Sequence, residues 1–467
     1  MGLKRYIGDR KFYRTVMGVA VPIMIQNGFT NLVNLLDNIM VGRLGTESMS
    51  GVSIVNQFIF IFNLTIFGAV SAAGIFTAQY HGLRDERGVR HTFRFKLLIN
   101  LSVAVLGILL FWLWDDALIG LFLHDSGAEG DLALTLAEGK RYLAIMLVGL
   151  VPYALTHVYG STMRETGETV MPMLASVAAV ATNFLFNCLL IFGLLGCPAL
   201  GVAGAAVATV ISRFVELIIL VIWGHTHLDR CGFLRGAYRS LYIPRLLTVR
   251  ILLKGLPLMI NEVFWSLAVT MRNQCYSTRG LDVVAAQNIN STIENLVSVV
   301  YMAVGTAIAI VIGNLLGAGK IEEARDADRK IIAFSIMAAL AMAGLLVGIS
   351  GLFPRLYNTG ESVRELAGFM MLVTAVATPF RAFAHSAYFT LRSGGKVMIT
   401  LLFDSVYMWA IVMPTALALT YLTGIGIHLL FILCQGVESI KFILGAVLLK
   451  RGDWATQLVS SEEKGEA

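Results

Sequence analysis

Apolar stretches of about 20 residues recur from one end of this chain to the other, and no other feature limits its fold as tightly. A helix rises about 1.5 Å per residue, so each stretch is long enough to cross roughly 30 Å of hydrocarbon. Read between charged or Gly- and Pro-rich breaks, the spans fall near 15 to 41, 52 to 77, 95 to 114, 136 to 160, 170 to 195, 200 to 224, 251 to 275, 283 to 312, 331 to 352, 364 to 391, 397 to 421 and 425 to 449. A soluble core cannot hide so much apolar surface, since 57% of the 467 residues are hydrophobic and 14% charged. The expected fold is an all-α polytopic membrane protein with twelve transmembrane helices.

The first span carries Asn27, Asn31, Asn34, Asp37 and Asn38 and is too long for a cleaved signal-peptide core, so it is expected to stay in the mature protein. Lys and Arg gather in the N-terminal arm (Lys4, Arg5, Arg10, Lys11, Arg14), after the second span (Arg84 to Lys96), after the sixth (Arg230 to Lys254) and after the eighth (Lys320 to Lys330). Opposite loops are sparse or acidic, as at Asp115, Asp116, Asp125, Glu129 and Asp131. The positive-inside rule then places both termini in the cytoplasm of a multi-pass plasma-membrane protein. The same bias accounts for the net charge of +6 without a nucleic-acid partner. Cys188, Cys197, Cys231, Cys275 and Cys434 show no metal-ligand or disulfide spacing.

A shift of about 235 positions lays the start of the second half on the start of the first. Pro22-Ile-Met-Ile25 falls on Pro257-Leu-Met-Ile260, Asn38 on Asn273, Gly45 on Gly280 and Gly82 on Gly317. Nearer 228, the run from His157 through Thr162 to Arg164 matches that from His385 through Thr390 to Arg392, and Gly167 matches Gly395. Six spans is an even number, so the repeats enter the membrane from the same side. Two pseudo-symmetric six-helix bundles with a central cavity follow: an N-terminal lobe over 1–224, a linker over 225–250, a C-terminal lobe over 251–450 and a tail over 451–467. Pro22 and Pro257 each remove a backbone hydrogen bond at matching depth, either as a static kink or as a point of bending.

Asp37-Asn-Ile-Met-Val-Gly-Arg-Leu-Gly45, the Arg164 to Gly167 turn, Gly201-Val-Ala-Gly-Ala-Ala-Val-Ala-Thr209 and Gly313-Asn-Leu-Leu-Gly-Ala-Gly-Lys-Ile-Glu-Glu-Ala324 together resemble the MATE (multidrug and toxic compound extrusion) family, in family order over nearly the whole chain. The resemblance implies a twelve-helix exporter driven by a sodium or proton gradient and acting on cationic or amphipathic compounds. Gly317-Ala-Gly-Lys320 looks like a phosphate loop, but Asn314 stands where Gly is required and Ile321 where Ser or Thr is. No nucleotide or other cofactor is expected, and no motif of an enzyme is present.

Ionisable groups at membrane depth are costly and so are candidate functional residues. Asp37 matches the first-helix acid of the family; Asn183 and Asn187, four apart on one helix face, add hard oxygen ligands that suit Na⁺. Archaeal-type members carry Asp where this chain has Asn187, and Thr209 matches their sixth-helix threonine. His157 falls where those relatives have another polar side chain. The expected coupling set is therefore Asp37, Asn183, Asn187, Thr209 and His157, whether the ion is Na⁺ or a proton on a desolvated acid. In the seventh span, Glu262 with Trp265 offers a carboxylate and an aromatic to an organic cation. The NorM branch has its seventh-helix acid where this chain has Trp265, and a tenth-helix Asp where it has Arg381. That branch's second-half sodium site is thus not expected here; Glu262 is expected to pair with Arg381 as a gate or a structural ion pair, and the expected substrate-binding set is Glu262, Trp265, Arg381 and His385. Asp404 reads as a helix-end cap or a third member. Arg213 with Glu216, and Lys441 with Glu438, read as i,i+3 pairs.

The expected function is a cation-coupled antiporter that exports small organic compounds by alternating access, working as a monomer in the bilayer. The alternative is a lipid-linked saccharide flippase of the same broad superfamily, which calls for several cations facing the cargo. A channel would show a repeated filter string, and none is visible. Across the repeat, Asp37 lines up with Arg272 and Glu262 with Asn27, so the halves are expected to share a scaffold and differ in chemistry.

Overall fold

The computed structural model describes residues 6–120, 132–357 and 359–459, apart from the side chains of Asn34, Leu35, Asn38, Ile39 and Thr46. Asp125, Glu129, Asp131 and residues 460–467 lie outside the described residues. Among the described residues there is no strand, and twelve helices are long and apolar enough to cross a membrane. They are α1 (Arg10–Gly42), α2 (Thr46–Gly82), α3 (Glu86–Leu113), α4 (Leu132–Glu165), α5 (Val170–Phe192) and α6 (Val202–Thr226). The second set is α7 (Arg245–Ser277), α8 (Leu281–Gly317), α9 (Ile321–Ile349), α10 (Glu361–Ser393), α11 (Val397–Tyr421) and α12 (Ile427–Arg451).

Several helices outrun their apolar windows. α3 begins at Glu86 and α9 at Ile321, about ten residues before hydropathy places them, and α8 runs on to Gly317. Hydropathy marks the stretch of a helix that sits in hydrocarbon, whereas the hydrogen-bond ladder continues through charged turns such as Glu86–Arg94. Asp85 fixes the start of α3 by accepting from the backbone N–H groups of Arg87 and Gly88 at 3.1 and 3.2 Å. Gly167 after α4 and Gly395 after α10 take φ values of +92° and +71°, a conformation that favours glycine, which explains why the repeat keeps glycine at both turns.

Large apolar side chains such as Leu106, Trp112, Leu253 and Val376 are exposed along the helices. Left in water they would each forfeit roughly 25 cal/mol per Å² of apolar area, and a bilayer removes that penalty. The compact units are Ile25–Thr77 with Asp85–Ile251, here the first lobe, and Met1–Met24 with Ala78–Arg84 and Leu252–Ala467, here the second. The start of α1 and the last turn of α2 therefore pack with the second lobe. The first lobe has a core around Val55, Phe58, Ile66, Leu143 and Leu150. In the second lobe Val304, Ile308, Ile312, Tyr388 and Trp454 form one core, and Tyr276, Ala286, Met370 and Phe431 another.

Within the second lobe the last turn of α2 crosses the last turn of α8 with backbones in direct contact. A Cβ on Gly82 would run into the carbonyl of Asn314, and one on Gly317 into the carbonyl of Gln79. Gln79 and Asn314 are equivalent in the repeat, as are Gly82 and Gly317, so the crossing is reciprocal.

In each repeat an arginine near the start of the third helix reaches the segment that follows the sixth. In the first lobe Arg90 Nε donates to the carbonyl of Phe233 at 3.4 Å, and Arg94 donates to the carbonyls of Ala237, Gly236 and Tyr242 at 2.8, 3.1 and 3.1 Å. Four carbonyls held by two arginines make residues 233–242 an ordered cap rather than a loose tether. In the second lobe Arg325, the counterpart of Arg90, donates from Nη2 to the carbonyl of Gly452 at 3.2 Å.

Candidate functional site

In the first lobe, Gly204 in the Gly- and Ala-rich start of α6 lets that helix approach α5 so closely that a Cβ there would strike the carbonyl of Leu190. That approach brings α6 Thr209 to α5 Asn183. Asn183 and Asn187 are 4% and 1% exposed. Asn187 Nδ2 donates both hydrogens, to Asp37 Oδ1 at 2.5 Å and to Asn183 Oδ1 at 3.0 Å, and Asn183 Nδ2 donates to Thr209 Oγ1 at 3.2 Å. Four of the five residues expected to form the coupling site thus make one chain of hydrogen bonds over three helices.

Its chemistry is that of one carboxylate among neutral oxygens. Among the described residues no lysine or arginine lies within ion-pair distance of Asp37, and Asn187 Oδ1 is buried with no hydrogen-bond partner. An orphaned buried carbonyl beside a carboxylate fits a small hard cation, which would draw on both. His157, the fifth expected member, stands apart from this chain. Its Nδ1 lies 3.1 Å from the carbonyl of Tyr153, which makes that nitrogen the protonated one, and its ring packs 4.2 Å from that of Tyr153. Arg213 sits over the same tyrosine at 4.8 Å and pairs with Glu216 at 3.6 Å, the i,i+3 pair expected from sequence.

The second lobe corrects three expectations. Glu262 does not pair with Arg381; it accepts from the hydroxyl of Tyr388 on α10 at 3.0 Å. Arg381 instead binds Glu294 of α8 and Gln435 of α12 and lies 3.7 Å from Glu438 of α12, which also pairs with Arg272 of α7. Arg272, Glu438, Arg381 and Glu294 so form a neutral four-charge network over four helices. Glu438 is engaged there, and Lys441 reaches Asp404 in its place. Asp404 is not an end cap: it sits on the first of two widened turns of α11, Leu402–Val406 and Met408–Val412, that precede Pro414. Those turns carry Asp404 and Ser405 onto α7, where Asn261 Nδ2 donates to Asp404 at 3.0 Å and Ser405 Oγ donates to the carbonyl of Asn261 at 2.8 Å.

Trp265 is 41% exposed, and the aromatic that meets Glu262 is Tyr388. His385 packs among Tyr301, Tyr388 and Phe389, and its buried Nε2 has no partner. Sequence reasoning passed over Tyr388, Glu294 and Gln435. Tyr388 lay within the repeated run beginning at His385; Glu294 and Gln435 had no signal beyond being polar at membrane depth.

Among the described residues, twelve membrane-length helices in two related sets of six, with polar networks buried among them, define a multi-pass membrane protein. The chain belongs to the MatE family, whose model matches residues 22–189 and again 257–422. It is thereby placed among the MATE multidrug efflux transporters, a family that transports and does not catalyse. The double match begins at the equivalent prolines and reproduces the internal repeat.

Curated relatives extend over almost the full length. The chain is 23% identical to a probable multidrug resistance protein NorM of Thermotoga maritima, with 97% of this chain and 95% of that protein covered. It is 23% identical to the multidrug resistance protein PmpM of Pseudomonas aeruginosa, covering 89% of this chain and 86% of the relative. Among solved structures, an outward-facing multidrug resistance MATE transporter of the MOP superfamily matches with a TM-score of 0.84 at 21% identity, over 97% of this chain and 98% of that one. A MOP-superfamily transporter from Pyrococcus furiosus matches with a TM-score of 0.81 at 20% identity, over 97% and 98%.

Proposed function

We propose that the protein is a cation-coupled antiporter that exports small organic cations or amphipathic compounds across the plasma membrane, its Arg-rich helix ends and both termini in the cytoplasm. The observation that carries this reading is the chain Asp37–Asn187–Asn183–Thr209. An ion is exchanged at Asp37, the acid of that chain. As Na⁺ it would take oxygens of Asp37, Asn183, Asn187 and Thr209; as H⁺ it would neutralise the carboxyl, whose Asn187 partner tolerates either state. Desolvation makes the charged, ion-free form costly, so binding and release bias the helices that carry these residues, and that bias drives alternating access.

Cargo is assigned to the second lobe, where Glu262, Arg381 and His385 lie near Tyr388 and Tyr301. The carboxylate and the aromatic rings attract an organic cation. A flippase for phosphorylated lipids is the weaker reading, because Arg213, Arg272, Arg381 and Lys441 each sit with an acid and offer a phosphate little free charge.

Efflux of ethidium from proteoliposomes under separately imposed Na⁺ and pH gradients tests the proposal. One of the two gradients is expected to drive efflux, and Asp37→Asn to abolish it while the protein stays folded and inserted. Full efflux by Asp37→Asn would remove Asp37 from the mechanism.

A further inference from the structure

One buried side chain at the end of α2 holds the C-terminal segment and lies outside the ion and cargo sites described above. Gln79 is fully buried. Its Nε2 donates to the carbonyls of Ser393 at 3.1 Å and Thr456 at 3.3 Å, and its Oε1 accepts from the backbone N–H of Leu458 at 2.7 Å. Gln457 adds a bond from Nε2 to the carbonyl of Gly317 at 3.0 Å. Trp454, 3% exposed, joins the core beside α8 and α10, and its carbonyl occupies the space that a Cβ on Gly394 would need. The segment 454–459 therefore lies across the ends of α2, α8 and α10, hydrogen-bonded to the first two and packed against the glycine turn that follows the third.

The fastening is one-sided. Asn314, the counterpart of Gln79 in the repeat, has a buried Oδ1 with no partner. Duplication supplied an equivalent position, and only the first copy is used to hold a chain end.

We infer that the segment Trp454–Val459 is a latch that opens and closes with the transport cycle, and that Gln79 is the positioning residue that closes it. This rests on the transport reading above. The body of α2 belongs to the first lobe and its last turn to the second, so any displacement of the α2 body loads that last turn. Three connections can yield there: the helix backbone ladder, the glycine crossing at Gly82 and Gly317, or the Gln79 bonds. The ladder is cooperative and the crossing is backbone against backbone, whereas side-chain hydrogen bonds can be exchanged for water individually. The latch, held by three side-chain hydrogen bonds and the packing of Trp454, is the connection that can part without unwinding a helix or separating two helix backbones.

The test is amide hydrogen exchange of the full-length protein in proteoliposomes, at rest and while it moves ethidium along its driving gradient. The latch predicts that the Leu458 amide exchanges faster during transport than at rest. It also predicts that Gln79→Ala speeds exchange at rest by about fivefold, the worth of roughly one net hydrogen bond. Turnover of Gln79→Ala should change with the half-saturating ethidium concentration unaltered, and Gln79→Glu, which keeps the acceptor for Leu458 and loses both donated bonds, should lie between. Ethidium movement with an unchanged Leu458 amide overturns the latch alone, and this arm needs no variant. Gln79→Ala with wild-type exchange and wild-type turnover overturns the role of Gln79. A wild-type protein that moves no ethidium under either gradient overturns the transport reading and the latch with it.

Discussion

Gly82 rests against the carbonyl of Asn314 while Gly317 rests against the carbonyl of Gln79, so that the last turns of α2 and α8 cross with each glycine making room for the other helix. A side chain at either position has to force the two backbones away from each other. Gly317→Leu and Gly82→Leu are expected to cost at least about 2 kcal/mol each, with loss of monodisperse protein in detergent. Gly28, with nothing within 4 Å of a Cβ, is the control: Gly28→Ala should match or slightly raise the thermal midpoint, because alanine favours the helix by about 0.5–1 kcal/mol. Equal tolerance at all three positions would contradict the crossing.

Asn187 already gives both amide hydrogens away, so its chemistry is altered most sharply by changing charge and not size. Asn187→Asp puts a second carboxylate beside Asp37. Two acids in one dry site favour a bound cation and cannot both ionise cheaply without one. If Na⁺ is the coupling ion, the variant should need about tenfold less of it for half-maximal efflux; if H⁺, half-maximal efflux should move to higher pH. Efflux titrations against Na⁺ and pH that superpose on wild type would take Asn187 out of the site.

The sequence carried the scaffold and the first-lobe cluster further than it carried the second lobe, for physical reasons. Membrane spans are set by long local runs of apolar residues, and the glycines at 82, 167, 317 and 395 mark places where backbone demands leave little choice, so both show in one dimension. Asp37, Asn183 and Asn187 are polar residues at membrane depth, where their cost marks them out, and the resemblance to the MATE family pointed to Asp37 and Thr209. In the second lobe, acids and bases outnumber the obvious pairings. Which carboxylate answers Arg381 depends on helix rotations, and which answers Lys441 on the widened turns of α11, neither of which hydropathy records. The fastening of the tail to Gln79 depends on contacts nearly four hundred residues apart in sequence, and nothing local announces it.

Glu438 pairs with Arg272 and lies within reach of Arg381, whereas Glu294 answers Arg381 alone. Losing Glu438 strands Arg272 and leaves Arg381 with Glu294; losing Glu294 leaves Arg381 with Gln435 and Glu438. Glu438→Gln should therefore destabilise by about 3–5 kcal/mol, the usual cost of orphaning a buried charge, and Glu294→Gln by clearly less. Thermal midpoints in one detergent decide it. An equal loss, or the reverse order, would mean that the network does not share charge in this way.

Cys231 opens the ordered cap that follows α6, and it is completely buried beside Phe233. Burial pushes its thiol up to about 12, with Glu168 and Asp229 adding to the shift. The thiolate is the reactive form, so at pH 8 Cys231 should resist maleimide in the folded protein and react once the chain is unfolded in detergent. The linkage has a definite sign. A group whose pKa is raised by folding keeps its stabilising share while it is protonated in both states. That share is lost as pH climbs from 9.0, where the unfolded thiol ionises, toward the folded value of about 12. Cys231→Ser removes the alkaline term, so its midpoint should fall less than that of wild type between pH 8 and 10. Because Arg90 and Arg94 hold the cap by its carbonyls, Arg94→Ala should free the segment and expose Cys231 to maleimide at pH 8. Labelling of Cys231 in the wild type as fast as in Arg94→Ala would show that the cap is open without any help from mutation.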